Sequence, residues 1–212
     1  MEAAILLFDR LTALDAVGPY EVLRQIPGAQ IRFVAKEPGP KRTDAGSLAL
    51  MADYALKDIS SPDIIVIPGG PGQADLMEDH VVLDWIRQVH ATTRWTTSVC
   101  TGALILAAAG LLQGLRATTH WLALHVLRQL GAEAVSERVV VQGKIITAAG
   151  VSAGIDMALT LTALEYGEEV AQTIQLSLEY DPQPPFNTGS PSKAPATLVE
   201  RVRNRSRFKV PA

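Results

Sequence analysis

Residues 63–72 read DIIVIPGGPG. The four β-branched residues Ile64 to Ile67 leave no polar side for water, so the strand they predict must be covered on both faces. Pro68 and the glycines at 69, 70 and 72 then end it in a tight turn. A strand apolar on both sides belongs to a parallel sheet between two layers of helices. The neighbouring sequence supplies the rest of such a sheet. AAILLF (3–8), QIRFVAK (30–36) and TTSV, just before Cys100, read as further strands. SLALMADYAL (47–56) reads as a strand or short hairpin, and RVVVQGKIITAAG (138–150) as two strands about a Gln-Gly turn.

Helical patterns alternate with these runs. PYEVLRQI (19–26) predicts a helix with Pro19 in its first turn. VVLDWIRQVHATT (81–93), GALILAAAGLL (102–112), WLALHVLRQL (121–130), SAGIDMALTLTALEY (152–166) and EEVAQTIQLSLEY (168–180) follow. DPQPPFNTGSPSKAP (181–195), with five prolines, must run as an irregular surface loop. No repeat or linker divides the chain. The expectation is an α/β sandwich of three layers, one domain over residues 1–195, followed by a helical or flexible tail over 196–212. In such folds ligands bind beyond the carboxyl ends of the strands. The loop IPGGPG and the turn SVCTG both fall there.

Composition narrows the function. The 212 residues are 48% hydrophobic, enough for one sizeable core, and carry 19 Lys+Arg against 22 Asp+Glu. That balance argues against nucleic acid as a partner. In the tail RVRNRSRFKV arginine recurs at every second position from 201 to 207, which suits a solvated terminus and no amphipathic basic helix. No apolar run reaches the roughly 20 residues of a membrane span, and the amino terminus lacks a signal-peptide pattern. A single cysteine excludes an internal disulfide framework and a cysteine-cluster metal site, and fits a reducing compartment. The prediction is a soluble, cytoplasmic protein. The glycine loop matches neither GxGxxG nor a phosphate loop, so no nucleotide is assigned.

Two strand–turn–helix stretches offer a nucleophile. GVSAG (150–154) fits the GxSxG elbow with Ser152 at its centre, but all four histidines precede Ser152, against the Ser–acid–His order of that fold. Cys100, in SVCTG, has the better chemistry: a thiol at a helix start meets unpaired N–H groups, and Thr101 and Gly102 add backbone donors. His120 and His125 stand five apart, off a shared helical metal face, and read as structural; His80 and His90 carry no signal. Asp15, in TALDAVGPYEVL, lies between the first strand and the predicted helix, free to face the same sheet edge.

LDAVGPYEVL, VIPGGPG, SVCTGALILAAAGLLQGLRATTHW, GVSAGIDMALTL and LEYDPQPPFNTGSP together resemble the ThiJ/PfpI superfamily, and within it the isonitrile (isocyanide) hydratases. The resemblance spans nearly all of residues 3–195. It implies a flavodoxin-like sandwich, a homodimer and a cysteine on a strained nucleophile elbow. It implies Cys100 as nucleophile, Asp15 as its acid/base partner, Thr101 as the neighbour that fixes the site, and backbone donors at Thr101 and Gly70. Two departures favour the hydratase branch: Thr101 stands where many protease-like and chaperone-like members have histidine, and Asp15 where deglycase-like and glyoxalase-like members have glutamate.

The implied reaction is that of a hydro-lyase: water adds to a small isonitrile to give an N-substituted formamide, with no metal or organic cofactor. A Cys100 thiolate would add to the terminal carbon while protonated Asp15 supplies the proton, giving a thioimidate that water opens. Ordinary acidities put the shared proton on sulfur, so moving it to Asp15 needs burial of the carboxyl and donors around the sulfur. Rival readings are a glyoxalase or deglycase acting on α-oxoaldehydes, a non-enzymatic redox-sensing or protective homodimer, and the ligand-sensing domain of a transcription regulator.

Overall fold

The computed structural model describes residues 1–209. Among the described residues eleven strands and eight α-helices follow one another: β1 (Glu2–Leu6), α1 (Ala13–Leu23), β2 (Gln30–Ala35), β3 (Gly39–Arg42), β4 (Ala49–Ala52), β5 (Tyr54–Ala55), β6 (Ile64–Ile67), α2 (Gln73–Leu76), α3 (His80–Thr92), β7 (Trp95–Val99), α4 (Gly102–Ala108), β8 (Arg116–Ala117), α5 (Leu124–Gln129), β9 (Glu133–Ala134), β10 (Val139–Gln142), β11 (Ile145–Ala148), α6 (Ala153–Tyr166), α7 (Glu168–Ser177) and α8 (Ala196–Arg205).

The main sheet runs β10-β11-β7-β6-β1-β2-β5, parallel throughout except for the edge hairpin β10–β11. Counting only its five long parallel strands, the order is 2-1-3-4-5, that of a flavodoxin-like sheet. The central strands are buried along their length: every residue of Ala3–Leu6, Ile64–Ile67 and Thr96–Val99 is at most 1% exposed. Chain direction changes at β1, with β2 on one side and β6 on the other, so the loops leaving β1 and β6 converge at one carboxyl-end crevice.

The structure departs from the sequence reading in three places. The first helix begins at Ala13, not Pro19, so Asp15 sits in its first turn and Pro19 lies inside it. The proline costs the helix one hydrogen bond, but Gly18 and Pro19 face α6, where Ile155 and Gly154 pack against them. SLALMADYAL divides between two sheets: β4 pairs antiparallel with β3, an element the sequence did not announce, and β5 joins β2. The helix after Cys100 stops at Ala108, and the segment from Trp121 opens as a 3₁₀ turn before α5. Finally, the tail takes the helical form of the two expected of it, as α8, although the arginine alternation by itself suits no amphipathic basic helix. Its alternate arginines point round the cylinder while Leu198 and Val202 share one side, and none of its residues is buried.

Candidate active site

The crevice at the carboxyl ends of β1, β6 and β7 collects four segments. Strand β7 delivers Cys100, whose φ of 55° is a left-handed conformation that a side chain makes costly. The strain is held by pairing: the Cys100 N–H donates to the carbonyls of both Ala148 (3.1 Å) and Ala149 (2.9 Å), and its carbonyl accepts the Thr119 hydroxyl at 2.7 Å. The turn therefore has the geometry of a nucleophile elbow.

Asp15 reaches the same point from α1 and has no exposed surface. Its Oδ2 accepts the Gly69 N–H at 2.9 Å, and its Oδ1 has no partner among the described residues. Burial raises its pKa from 3.8 to about 7, against the opposing pull of the Gly69 N–H and of a hydrogen bond with Cys100. Burial, with the nearby Asp15 charge, pushes the Cys100 thiol up to about 12, although the N–H groups of Val151 and Thr101 donate towards the sulfur. The pair shares one proton, and it rests on sulfur, with the thiol donating to the carboxylate. The resting place of this proton, which the sequence left open, is the one ordinary acidities favour: the burial that raises the carboxyl raises the thiol as well.

Thr101 is 4% exposed, and its hydroxyl accepts the Gly70 N–H at 3.0 Å. Gly70 therefore presents no free donor, contrary to the role the resemblance implied; its N–H orients Thr101. Its φ of 128° and the backbone of residues 10–12 pressed against it leave no place for a Cβ. The donor that reaches the Asp15 carboxyl is one residue earlier, at Gly69. Nothing in a glycine's side chain could have announced that.

The rival elbow resolves into part of the same site. Ser152 has ordinary helical backbone angles and its hydroxyl accepts from Arg138 at 3.3 Å. The residue before it, Val151, takes φ of 33° and turns its N–H to the Cys100 sulfur. His120 lies against Gly150, and burial lowers its pKa, with the charge of Arg207 adding to the effect. His125 is remote; its ring nitrogen contacts the Lys209 carbonyl. Arg207, read in the sequence as part of a solvated tail, donates to the carbonyls of Gly70 (3.0 Å) and Pro71 (2.9 Å) and to Gln73 Oε1 (2.5 Å).

No three His, Cys, Asp or Glu side chains among the described residues are grouped so as to hold a metal ion, and no helix is long and apolar enough to cross a membrane. What remains is a buried thiol, a buried carboxyl and one proton between them: a set suited to adding a sulfur nucleophile and a proton to the same small electrophile.

Comparison with known proteins agrees with the geometry. The chain is 46% identical over 206 residues to the isonitrile hydratase of Pseudomonas putida, covering 97% of this chain and 90% of that one. It superposes on the crystal structure of a ThiJ/PfpI family protein from Pseudomonas syringae with a TM-score of 0.93, at 37% identity, covering 96% and 85% of the two chains. It is 26% identical to the glutathione-independent glyoxalase DJR-1.2 of Caenorhabditis elegans over 149 residues, 69% of this chain and 79% of that one. The DJ-1/PfpI family model matches residues 1–164, a span that takes in Asp15, the glycine loop, the Cys100 elbow and the Val151 turn. With its flavodoxin-like sheet and these segments at one crevice, the chain belongs to the DJ-1/PfpI family.

Proposed function

We propose that this protein hydrates isonitriles, converting R–N≡C to the formamide R–NH–CHO, and that it does so as a cytoplasmic homodimer. The observation that carries the reading is the fully buried Asp15 carboxyl beside the Cys100 thiol, held by the Gly69 N–H and left with one oxygen unpartnered among the described residues. Likeness to an isonitrile hydratase along 97% of the chain supports the substrate class.

The terminal carbon of an isonitrile accepts a nucleophile and then a proton. As that carbon nears Cys100, the thiol proton passes to Asp15 and the sulfur adds. Asp15 returns the proton to the same carbon, giving the thioimidate R–N=CH–S–Cys100. Asp15, ionised again, takes a proton from water as the oxygen attacks, and passes it to the nitrogen. The C–S bond then breaks with its electron pair going to sulfur, and the hydroxyl proton returns through Asp15 to the thiol. The N–H groups of Thr101 and Val151 meet the departing sulfur, the atom on which negative charge collects. Thr101 fixes the elbow through its bond to Gly70.

The test is formamide production from cyclohexyl isocyanide, with methylglyoxal as the comparison substrate. Wild type is expected to turn over the isonitrile and to leave methylglyoxal nearly untouched. Cys100→Ala should fall to background, and Asp15→Asn should lose about 100-fold or more in kcat. Formamide production that survives in Cys100→Ala, or its absence in wild type, would overturn the reading.

A further inference from the structure

The C-terminal segment brings a charge to the site that the reaction above does not use. Arg207 lies beyond α8, folded back over the loop that follows β6, and donates to three neutral acceptors there: the carbonyls of Gly70 and Pro71 and the side-chain oxygen of the buried Gln73. This is the loop whose Gly69 and Gly70 N–H groups hold Asp15 and Thr101. The guanidinium is thus fixed at the edge of the catalytic crevice by groups that do nothing to cancel its charge. Arg10, Arg94, Arg116 and Arg138 each pair with a carboxylate, whereas Arg207 has no acidic partner among the described residues.

We propose that Arg207 favours anionic reactants at the Cys100 site, so that this protein hydrates isonitriles with a carboxylate on the end away from the reacting carbon faster than neutral ones. The inference deepens the hydratase reading and rests on it for the isonitrile; the charge selection itself concerns any electrophile that reaches the sulfur.

Position suits the role. Cys100 and Asp15 are buried, as the reacting carbon must be, while Arg207 stays open to solvent where the remainder of a substrate would project. A guanidinium has five N–H bonds in a planar fork. Three are engaged with the loop, and the other two have no partner among the described residues. The other charges facing this crevice are Asp15 from α1, Asp44 from the loop of the β3–β4 hairpin, Arg10 from the loop after β1, already paired to Asp75, and the His120 ring. The charge of Arg207 and that of an ionised Cys100 are close enough to act on one another. An incoming carboxylate would find in Arg207 the one cation of this group neither titrating nor paired to an acid.

Alkylation of Cys100 isolates charge from every other property of the site. Iodoacetate and iodoacetamide react by the same displacement: sulfur bonds to the methylene carbon and iodide leaves with its electron pair. They differ in the charge of the far end. The ratio of their rate constants at pH 8 and low salt should fall about fivefold in Arg207→Gln and hold near the wild-type value in Arg207→Lys. Raising the salt should lower the ratio for wild type but not for Arg207→Gln. Arg205→Gln, which removes a charge from α8 away from the loop, should leave it unchanged.

A ratio unaltered in Arg207→Gln would overturn the proposal, as would an equal fall in Arg207→Lys. Turnover of isocyanoacetate and of its neutral amide completes the test: kcat/KM should favour the anion in wild type, and that preference should vanish in Arg207→Gln. Equal turnover of the two by wild type would also overturn it. If neither isonitrile were turned over, the hydratase reading would fall while the alkylation ratio would still decide the role of Arg207.

Discussion

Asp15 is a carboxyl group that the fold holds under an energetic penalty when charged. Its pKa of about 7 against an ordinary 3.8 means that the native state binds this proton more tightly than the unfolded chain does. The stabilisation is complete below about pH 4 and is lost as the pH rises through about 7. Asp15→Asn, always neutral and still able to accept the Gly69 N–H, should therefore gain on wild type as pH climbs from 4 to 8. Three pH units set the ceiling of that gain at about 4 kcal/mol. Urea denaturation at the two pH values measures it; an equal difference at both would remove the burial penalty. In the proposed reaction the same titration would govern catalysis, because a protonated Asp15 cannot accept the thiol proton. Activity (kcat/KM) for isonitrile should rise through about pH 7 to an alkaline plateau, and a profile flat from pH 5 to 9 would contradict the shared-proton arrangement. Cys100, Asp15 and Thr101 were legible as candidates because their side chains are of the kinds that carry such chemistry. Gly69 and Val151 were not, since they act through backbone N–H groups whose direction comes from tertiary contacts. Arg207 was hidden by distance, for nothing local ties the tail to a loop far back in the chain.

The β6 strand, the glycine loop and α4 form a tight junction. A Cβ added at Gly102 would lie 2.0 Å from the Ile67 carbonyl oxygen, backbone that cannot move without shifting the central sheet. Gly102→Ala is expected to cost upwards of about 3 kcal/mol, read as a lower urea midpoint, whereas an alanine at Gly110, where nothing lies within 4 Å, meets only its φ of 83°. A similar loss in both would show that backbone conformation rather than close packing sets the junction. Elements apolar on both faces, such as Ile64–Ile67, were readable as strands because burial leaves only one interpretation of four β-branched residues. Helix boundaries were less readable. Proline favours a first turn, yet at position 19 packing of α1 on α6 outweighs the lost hydrogen bond, and the helix starts a turn and a half earlier. The short strands β3, β8 and β9 have no pattern of their own; each exists because its partner lies alongside.

The molecule as a whole places its chemistry where strand order reverses, and the fold class was plain from the alternation of apolar strands and helices. Its surface is another matter: Met51, Leu164, Leu176 and Phe186 are all more than half exposed. Light scattering on the purified protein should return twice the monomer mass, in keeping with the proposed homodimer; a monomer at micromolar concentration would remove that part of the reading and leave the catalytic proposal standing. The Cys100 turn is gripped by residues well downstream, its amide by the Ala148 and Ala149 carbonyls and its sulfur by the Val151 N–H. A chain still emerging from the ribosome, halted before those residues are joined, has nothing to hold the strained turn in place. Its thiol is then an ordinary cysteine, ionising near pH ~8.5, with no proton partner and no pocket. The pairing of Cys100 with Asp15 is thus an attribute of the finished sheet, and each newly made copy passes through translation with that site still unassembled.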